Sequence, residues 1–174
     1  MSTLKLKPGE RFPDIEIATI DYGKLTLGQQ AQGWQLILVY RGLHCPWCRT
    51  YIDQLHQITP RFRERDVQVI AISGDPEEKA VALKREAGYR HLPIGYGLSL
   101  TQMHRLGLFI SAPRSPEETN QPFAEPAVFL INPEKTVQIA EYSNAPFCRP
   151  DLNTLLEGII FIQEHKYPIR GRYE

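Results

Sequence analysis

The chain has 174 residues, of which 42% are hydrophobic and 23% charged, and its 20 basic side chains balance its 20 acidic ones. Such a composition is typical of a globular protein, and a chain of this length can bury a core without disulfides or metals. The formal net charge of +0 gives no general attraction to nucleic acid or to anionic lipid. We therefore expect a single domain over residues 1–174 that binds neither nucleic acid nor membranes.

The N-terminus, MSTLKLKPGE, lacks the apolar region of a signal peptide. Nowhere does the chain approach the ~18 consecutive apolar residues of a membrane-spanning helix. These observations predict a cytoplasmic protein. Because the cytoplasm keeps thiols reduced, we do not expect a stable structural disulfide, and closely spaced cysteines there favour redox or metal chemistry.

The first predicted elements are a hairpin, a buried strand and a helix. Residues 1–30 combine turn residues with short alternating runs, which predicts an N-terminal β-hairpin extension. The apolar run Leu36–Tyr40 predicts a strand that is buried on both faces. From Pro46 the apolar residues recur every three or four positions, which predicts a helix that starts at Pro46 and is kinked or ended by Pro60.

Strands and helices continue to alternate after this helix. A second buried strand is predicted over residues 67–73, and Asp75 is expected to cap a helix that has Pro76 at its first position and ends at Gly88. The later elements are a short strand over 93–96, a helix over 99–106, a long polar loop over 110–124, a hairpin over 127–142 and a helix over 150–165. This order predicts an α/β protein with a mixed, mainly parallel sheet.

Cys45 and Cys48 form a C-x-x-C motif where the first buried strand turns into the first helix. Ligands bind at this end of the strands in an open α/β sheet. The helix N-terminus offers unpaired backbone N–H groups and partial positive charge, which lower the pKa of a thiol. We expect Cys45 to attack an oxidant and Cys48 to resolve the adduct into an intramolecular disulfide.

Several neighbours of the motif are candidates for supporting roles. Pro46 stiffens the turn and Trp47 can shield the two thiols. Arg41 and His44 can place positive charge near Cys45 and lower its pKa. A purely structural interpretation is equally open, in which the arginine is solvated and the histidine only caps the turn.

Three further residues are candidates for a role at the site. Arg49 follows the motif and is either a third nearby cation or a solvated side chain. Pro126 precedes a predicted strand and, in a dithiol fold, can face the cysteines in the cis form. Cys148 is a possible extra thiol that resolves the adduct, although we favour a semi-buried structural cysteine.

Zinc binding and a chance C-x-x-C remain alternatives to redox chemistry. A structural zinc site usually needs four nitrogen or sulfur ligands, but the chain has no second C-x-x-C and no H-x-x-H motif. It also lacks the glycine-rich motifs G-x-G-x-x-G and G-x-x-x-x-G-K-[ST] that bind nucleotides. We therefore expect no cofactor, whether metal, flavin or nucleotide.

Four segments, PGERFPDIEI, LILVYRGLHCPWC, VQVIAISGDPEEKAVALKREAG and EPAVFLINPE, follow one another along the chain. Their order resembles the peroxiredoxin-like branch of the thioredoxin superfamily, of the alkyl hydroperoxide reductase / thiol-specific antioxidant type. The resemblance runs from about Pro8 to Glu164. It implies a thioredoxin fold, with three α/β/α layers around a mixed sheet and an N-terminal extension, in which Cys45 takes the place of the peroxidatic cysteine.

The chain departs from this family around the cysteine. Members of the family have a proline seven residues before it and a threonine or serine three residues before it, where this chain has Leu38 and Gly42. The arginine that the family places near the later central strand is replaced by Pro126, as in thioredoxins. The Cys-Pro-aromatic-Cys pattern is similar to the dithiol of glutaredoxins, so the scaffold resembles one group and the site another.

These observations lead to two functional hypotheses. The first is a thiol-dependent oxidoreductase that reduces hydroperoxides or disulfides and is restored by a thioredoxin- or glutathione-type reductant. The second is a non-enzymatic redox-sensing or binding module, whose dithiol switches a surface and whose 110–124 loop contacts the partner. A homodimer is compatible with both hypotheses.

Overall fold

A computed structural model describes residues 4–173 of the chain. The strands in this part are β1 (Ile15–Thr19), β2 (Gly23–Leu27), β3 (Trp34–Val39), β4 (Val67–Ile72), β5 (Ile94–Tyr96), β6 (Ile110–Ser111), β7 (Phe123–Ala124), β8 (Ala127–Ile131) and β9 (Val137–Tyr142). The helices are α1 (Pro46–Arg63), α2 (Glu77–Ala87), α3 (Leu100–Arg105) and α4 (Leu152–His165).

Seven of the strands form one mixed sheet in the order β2-β1-β5-β4-β3-β8-β9. Strands β3, β4 and β5 run parallel, and the hairpin of β8 and β9 adds antiparallel strands beside β3. The hairpin of β1 and β2 joins the other side through β5. The predicted α/β class and the predicted N-terminal hairpin are therefore confirmed.

Alternate side chains of β3 enter two separate hydrophobic cores, because successive residues of a strand point to opposite faces. Leu36 and Leu38 pack with residues of α1, α2 and α4 on one face of the sheet. Ile37 and Val39 pack on the other face with residues of α3 and of the N-terminal hairpin. The sheet lies between these helices, which gives the predicted three layers and places the end of β3 at the centre of the domain.

The predicted helix boundaries needed two corrections. We expected Pro60 to kink or end helix α1; the helix continues through it to Arg63, so of these two alternatives the one in which the proline ends the helix is wrong. Pro60 lies on the exposed side of α1, where the carbonyl that loses its helical N–H partner can bind water. Asp75 does not cap α2, because Pro76 occupies the N-cap position and no side chain caps the helix. The carboxylate of Asp75 instead accepts the backbone N–H of Leu43 at 2.6 Å.

The predicted loop over 110–124 is closed at its base by a short ribbon, since β6 pairs with β7. Its outer part is tied to the domain by two hydrogen bonds. Lys79 donates to the hydroxyl of Thr119 at 3.3 Å, and the amide of Gln121 donates to the carbonyl of Gly74 at 2.7 Å. The segment is therefore an anchored wall rather than a free loop. Within residues 4–173, no helix is both long and apolar enough to cross a membrane.

Candidate active site

The dithiol lies where β3 leads into α1, as the sequence predicts. Cys45 is the N-cap residue of the helix, and its Sγ accepts a hydrogen bond from the backbone N–H of Cys48 at 3.2 Å. Pro46 occupies the first turn, where its missing N–H costs nothing. All three cysteines of the chain are free. The thiols of Cys45 and Cys48 are also hydrogen-bonded to each other.

Both thiols are buried, with Cys45 2% exposed, and they differ in their position relative to a cavity. Cys45 lines a cavity of about 790 Å³, whereas Cys48 does not line it and is 0% exposed. The walls of this cavity come from three segments, and their lining residues are Arg41, His44, Cys45, Pro46, Trp47, Arg114, Ser115, Glu117, Glu118, Pro146 and Phe147. A molecule that enters the cavity therefore meets Cys45, and Cys48 lies behind it.

Arg149, which the sequence analysis did not single out, reaches the dithiol from the segment before α4. Its Nη2 donates to Cys48 Sγ at 3.3 Å, and its Nε donates to the carbonyl of Pro146 at 2.9 Å. Its guanidinium lies 4.5 Å from the ring centroid of Tyr51, whose hydroxyl donates to the carbonyl of Pro150 at 2.6 Å. No local pattern marks this arginine, because 101 residues separate it from Cys48.

The hydrogen bond between the thiols shifts their pKa values in opposite directions. The bond from Cys45 and the charge of Arg149 lower the pKa of Cys48. The same bond, together with burial, raises the pKa of Cys45. The sequence predicted a lowered pKa for Cys45, but it is the pKa of Cys48 that is lowered. The pair loses its first proton more readily than an isolated thiol, whereas loss of the second proton is disfavoured.

Arg41 lines the same cavity as Cys45 and is held by a carboxylate. Its Nε and Nη2 each donate to Glu125 at 2.8 Å, and its guanidinium lies 5.0 Å from the ring centroid of Phe123. Glu125 is 3% exposed and also accepts from the hydroxyl of Ser111 at 2.6 Å. The hydrogen bond with Glu125 raises the pKa of Arg41. The solvated interpretation of Arg41 is therefore wrong, and Glu125 compensates its charge.

Arg49 lies outside the site. It pairs with Glu86 at 3.0 Å, and both side chains are largely exposed. This geometry agrees with the solvated interpretation of Arg49, since exposed ion pairs of this kind contribute about 0–1 kcal/mol.

His44 lines the cavity beside Cys45 with its ring edge-on to Phe123, at a centroid distance of 4.8 Å. Both ring nitrogens are buried, and neither has a hydrogen-bond partner among the described residues. Burial lowers the pKa of the imidazole, so it is neutral near pH 7. His44 therefore neither caps the turn nor supplies the positive charge considered for it.

Trp47 and Phe147 form an exposed aromatic pair at the rim of the cavity. Their side chains are 60% and 65% exposed, and their ring centroids are 5.7 Å apart. Trp47 therefore borders the cavity and does not cover the thiols. Cys148 is also exposed, so the interpretation as a semi-buried structural cysteine is wrong.

Pro126 is trans, because no peptide bond among residues 4–173 is cis, and the predicted cis form is wrong. In the observed conformation Pro126 accepts the backbone N–H of Ser143 at 2.9 Å. The preceding residue, Glu125, extends its side chain toward Arg41. The proline thus continues the strand that carries Glu125.

Gly42, three residues before Cys45, has a backbone conformation and surroundings that disfavour a side chain. Its φ of +146° is unfavourable for other residues, and a Cβ at this position would lie 2.7 Å from Asp75 Oδ1. The buried carboxylate of Asp75 thus occupies the space that a side chain would need. Burial raises the pKa of Asp75.

The described residues contain no group of three or more His, Cys, Asp or Glu side chains arranged to hold a metal ion. Among the described residues, Cys45 and Cys48 therefore have no third or fourth metal-binding side chain beside them. A tetrahedral site of the structural zinc type would need two more such ligands.

A C-x-x-C pair at the start of a helix, after a buried central strand of a mixed sheet, defines a dithiol site on a thioredoxin fold. A sequence profile described as the AhpC/TSA family matches residues 8–140. The chain therefore belongs to the AhpC/TSA family. A search of curated protein sequences finds no match.

Solved structures of similar fold are peroxiredoxins or related proteins. A peroxiredoxin-like protein from Aquifex aeolicus is 18% identical with a TM-score of 0.78, and the match covers 92% of this chain and 90% of that one. Peroxiredoxin 6 of Arenicola marina is 22% identical with a TM-score of 0.75, over 92% and 75% of the two chains. Enterococcus faecalis AhpC is 16% identical with a TM-score of 0.75, over 97% and 100%. At these identities the similarity shows the fold.

Proposed function

We propose that the protein is a thiol-dependent oxidoreductase in which Cys45 attacks the oxidant and Cys48 resolves the adduct. The observation that carries this proposal is that Cys45 lines the cavity and Cys48 does not. Cys45 lines a cavity of about 790 Å³, and Cys48 is buried directly behind it within hydrogen-bond distance. Membership of the AhpC/TSA family supports the same reaction class.

The reaction balances with two electrons from the dithiol. The Cys45 sulfur attacks and breaks the O–O bond of a hydroperoxide or the S–S bond of a disulfide, and the departing alcohol or thiol takes the electron pair and a proton. Cys48 then attacks the oxidised Cys45 sulfur, forms the Cys45–Cys48 disulfide and releases water or a second thiol. A thioredoxin- or glutathione-type donor returns two electrons and two protons to the disulfide.

The residues around the cavity have supporting roles in this proposal. His44 presents buried ring nitrogens without partners beside Cys45, so it can bond the oxidant as it enters. Pro46 positions Cys45 at the helix start, and Trp47 offers an apolar surface at the rim. Arg41, held by Glu125, gives its side of the cavity a polar edge. We place the protein in the cytoplasm, where reducing donors of this kind operate, either as a monomer or as a homodimer.

Stopped-flow oxidation of the reduced protein tests which oxidant it prefers. The absence of a hydroxyl at Gly42 favours a disulfide, because nothing at that position can orient a peroxide. We expect a low-molecular-weight disulfide to oxidise the dithiol faster, relative to free cysteine, than hydrogen peroxide or an alkyl hydroperoxide does. A peroxide rate far above that of free cysteine would instead identify a peroxidase.

Two substitutions test the roles of the cysteines. Cys45→Ser should remove turnover with both oxidants, by roughly three orders of magnitude or more, because it removes the nucleophile. Cys148→Ser is the matched control and should retain turnover. Cys48→Ser should leave Cys45 as a mixed disulfide or sulfenic acid that mass spectrometry detects. Full activity of the Cys45 variant would overturn the assignment.

A redox switch without turnover is the second candidate, and the exposed Trp47–Phe147 pair beside the dithiol favours it. In this candidate, oxidation of the dithiol beside these rings alters a surface that a partner recognises. Steady-state assays with dithiothreitol separate the two candidates. An enzyme continues to consume oxidant, whereas a switch reacts once per molecule.

A further inference from the structure

Arg149 is the one guanidinium that contacts a sulfur of the dithiol in the described part of the chain. It is held on three sides. Its Nε and Nη2 donate to the carbonyl of Pro146, its plane lies against the ring of Tyr51, and Nη2 donates to Cys48 Sγ at 3.3 Å. Within residues 4–173 no carboxylate forms an ion pair with Arg149. Its charge therefore has no counterion unless Cys48 supplies one.

We infer that Arg149 is a positioning residue that holds the negative charge of the reduced dithiol on Cys48. Cys48 then acts as the base that takes the proton from Cys45 as the Cys45 sulfur attacks. This inference rests on the proposed function for the attack step. It adds that one sulfur, that of Cys45, faces the cavity, whereas the other, that of Cys48, carries the negative charge.

The surroundings of Cys48 support this division. Its sulfur accepts a hydrogen bond from the guanidinium of Arg149 at 3.3 Å, and interactions with the Cys45 thiol and with the backbone of Arg41 also lower its pKa. Tyr40 and Arg41 are the other titratable groups that face it. Burial raises the pKa of the Tyr40 phenol, so Tyr40 adds no charge near pH 7, and Arg41 is paired with Glu125. A cation and a donor at one buried sulfur favour its thiolate form. Cys45 Sγ accepts the backbone N–H of Cys48 but receives no guanidinium hydrogen bond within residues 4–173.

The same contact should influence the reduction potential of the pair. In the disulfide form both sulfurs are neutral, and Arg149 would be left as a partly buried cation without a counterion. Stabilising the thiolate stabilises the reduced state, which makes a dithiol a stronger oxidant. A thiol donor should therefore reduce the Cys45–Cys48 disulfide more readily than it would without Arg149.

Titration of thiolate absorbance at 240 nm in Arg149→Gln tests the inference, with Cys148→Ser as the background so that the exposed thiol does not contribute. We expect the first midpoint to rise by about one pH unit or more, as for loss of an adjacent opposite charge. Equilibration with glutathione should shift toward the disulfide form. Arg149→Lys keeps the positive charge, so both the first midpoint and the glutathione equilibrium should stay close to their wild-type values. Arg49→Gln, at the exposed ion pair with Glu86, is the control and should change neither.

An unchanged midpoint in Arg149→Gln, or equal shifts in the Gln and Lys variants, would overturn the inference, because packing rather than charge would then be responsible. A second measurement does not depend on an Arg149 variant that folds. In Cys45→Ser the remaining Cys48 should titrate below the midpoint of the Cys45 thiol in Cys48→Ser, and the reverse order would also overturn the inference.

The failures of the two proposals are distinguishable. If the wild-type protein shows no turnover but Arg149→Gln still raises the thiol midpoint, the proposed function fails and the role of Arg149 stands. If turnover is present and the midpoint does not respond to Arg149, the enzyme assignment stands and the role of Arg149 fails.

Discussion

Two arginines flank the dithiol, and they differ in what neutralises them. Arg41 follows β3 and makes a bidentate ion pair with the buried carboxylate of Glu125. Arg149 precedes α4, has no ion pair with a carboxylate among residues 4–173, and donates to Cys48 Sγ at 3.3 Å. One cation is thus compensated by the scaffold, and the other by the sulfur itself.

This difference shows that proximity in sequence is a poor guide to electrostatic influence on a site. Arg41 is four residues from Cys45, but its guanidinium is paired with the carboxylate of Glu125, which offsets its charge. Arg149 is 101 residues from Cys48 and acts on it directly. We expect Arg41 to matter mainly for the stability of the cavity wall and Arg149 mainly for the ionisation of the thiols.

The largest expected effect is on the free energy of unfolding, through the ion pair between Arg41 and Glu125. Glu125→Leu leaves a partly buried guanidinium without its carboxylate, so the free energy of unfolding should fall by about 3 kcal/mol. The double variant Arg41→Met with Glu125→Leu should recover most of this loss, because neither charge then remains. Urea unfolding followed by circular dichroism measures both. Equal losses in the single and double variants would show that packing, rather than the unpaired charge, is responsible.

Thiolate absorbance at 240 nm and pH 5 compares the two arginines directly, again with Cys148→Ser as the background. Hydrogen bonding to Cys45 and the charge of Arg149 lower the pKa of Cys48 to about 6, so pH 5 lies below the midpoint. Arg149→Gln should lower the thiolate absorbance about tenfold there, because one pKa unit changes the thiolate fraction by that factor below the midpoint. The Arg41→Met and Glu125→Leu double variant should stay within about threefold of the parent, which is half a pKa unit. A larger loss in the double variant would reverse the comparison.

A smaller effect concerns the support of Arg149. Tyr51→Phe keeps the ring beneath the guanidinium but removes the hydroxyl that donates to Pro150 at 2.6 Å. We expect a loss of about 1 kcal/mol in the free energy of unfolding and an unchanged thiol midpoint. Tyr51→Leu, which removes the ring, should also move the midpoint. If Tyr51→Phe moves it equally, the hydrogen bond, and not the ring, positions Arg149.

The smallest expected effect is a pH dependence of the free energy of unfolding that comes from His44. Burial lowers the pKa of His44 in the folded protein, so the unfolded chain binds more protons as the pH falls through the unfolded value of about 6.5. Stability should therefore decrease from pH 7.5 to pH 5.5, and His44→Gln should reduce that decrease. Urea unfolding at the two pH values measures it. An undiminished decrease in the variant would show that His44 does not contribute.

The local pattern was sufficient for most of the fold and for the identity of the dithiol. The apolar run Leu36–Tyr40 and the change of period at Pro46 are signals that neighbouring residues carry. The strand and the helix that meet at Cys45 could therefore be predicted. Side-chain directions in the loops could not. Asp75 looked like a helix cap, but its carboxylate bonds the backbone of Leu43 across the site.

The sequence by itself determined that two cysteines would stand at a helix start after a buried strand, because strand, turn and helix signals are all local. Only the tertiary structure decided how these thiols are ionised. Their relation to the cavity, to Glu125 and to Arg149 arises where segments far apart in the chain pack together. Electrostatic effects follow distance in space, and for Cys48 the decisive distance is the 3.3 Å to the guanidinium of Arg149.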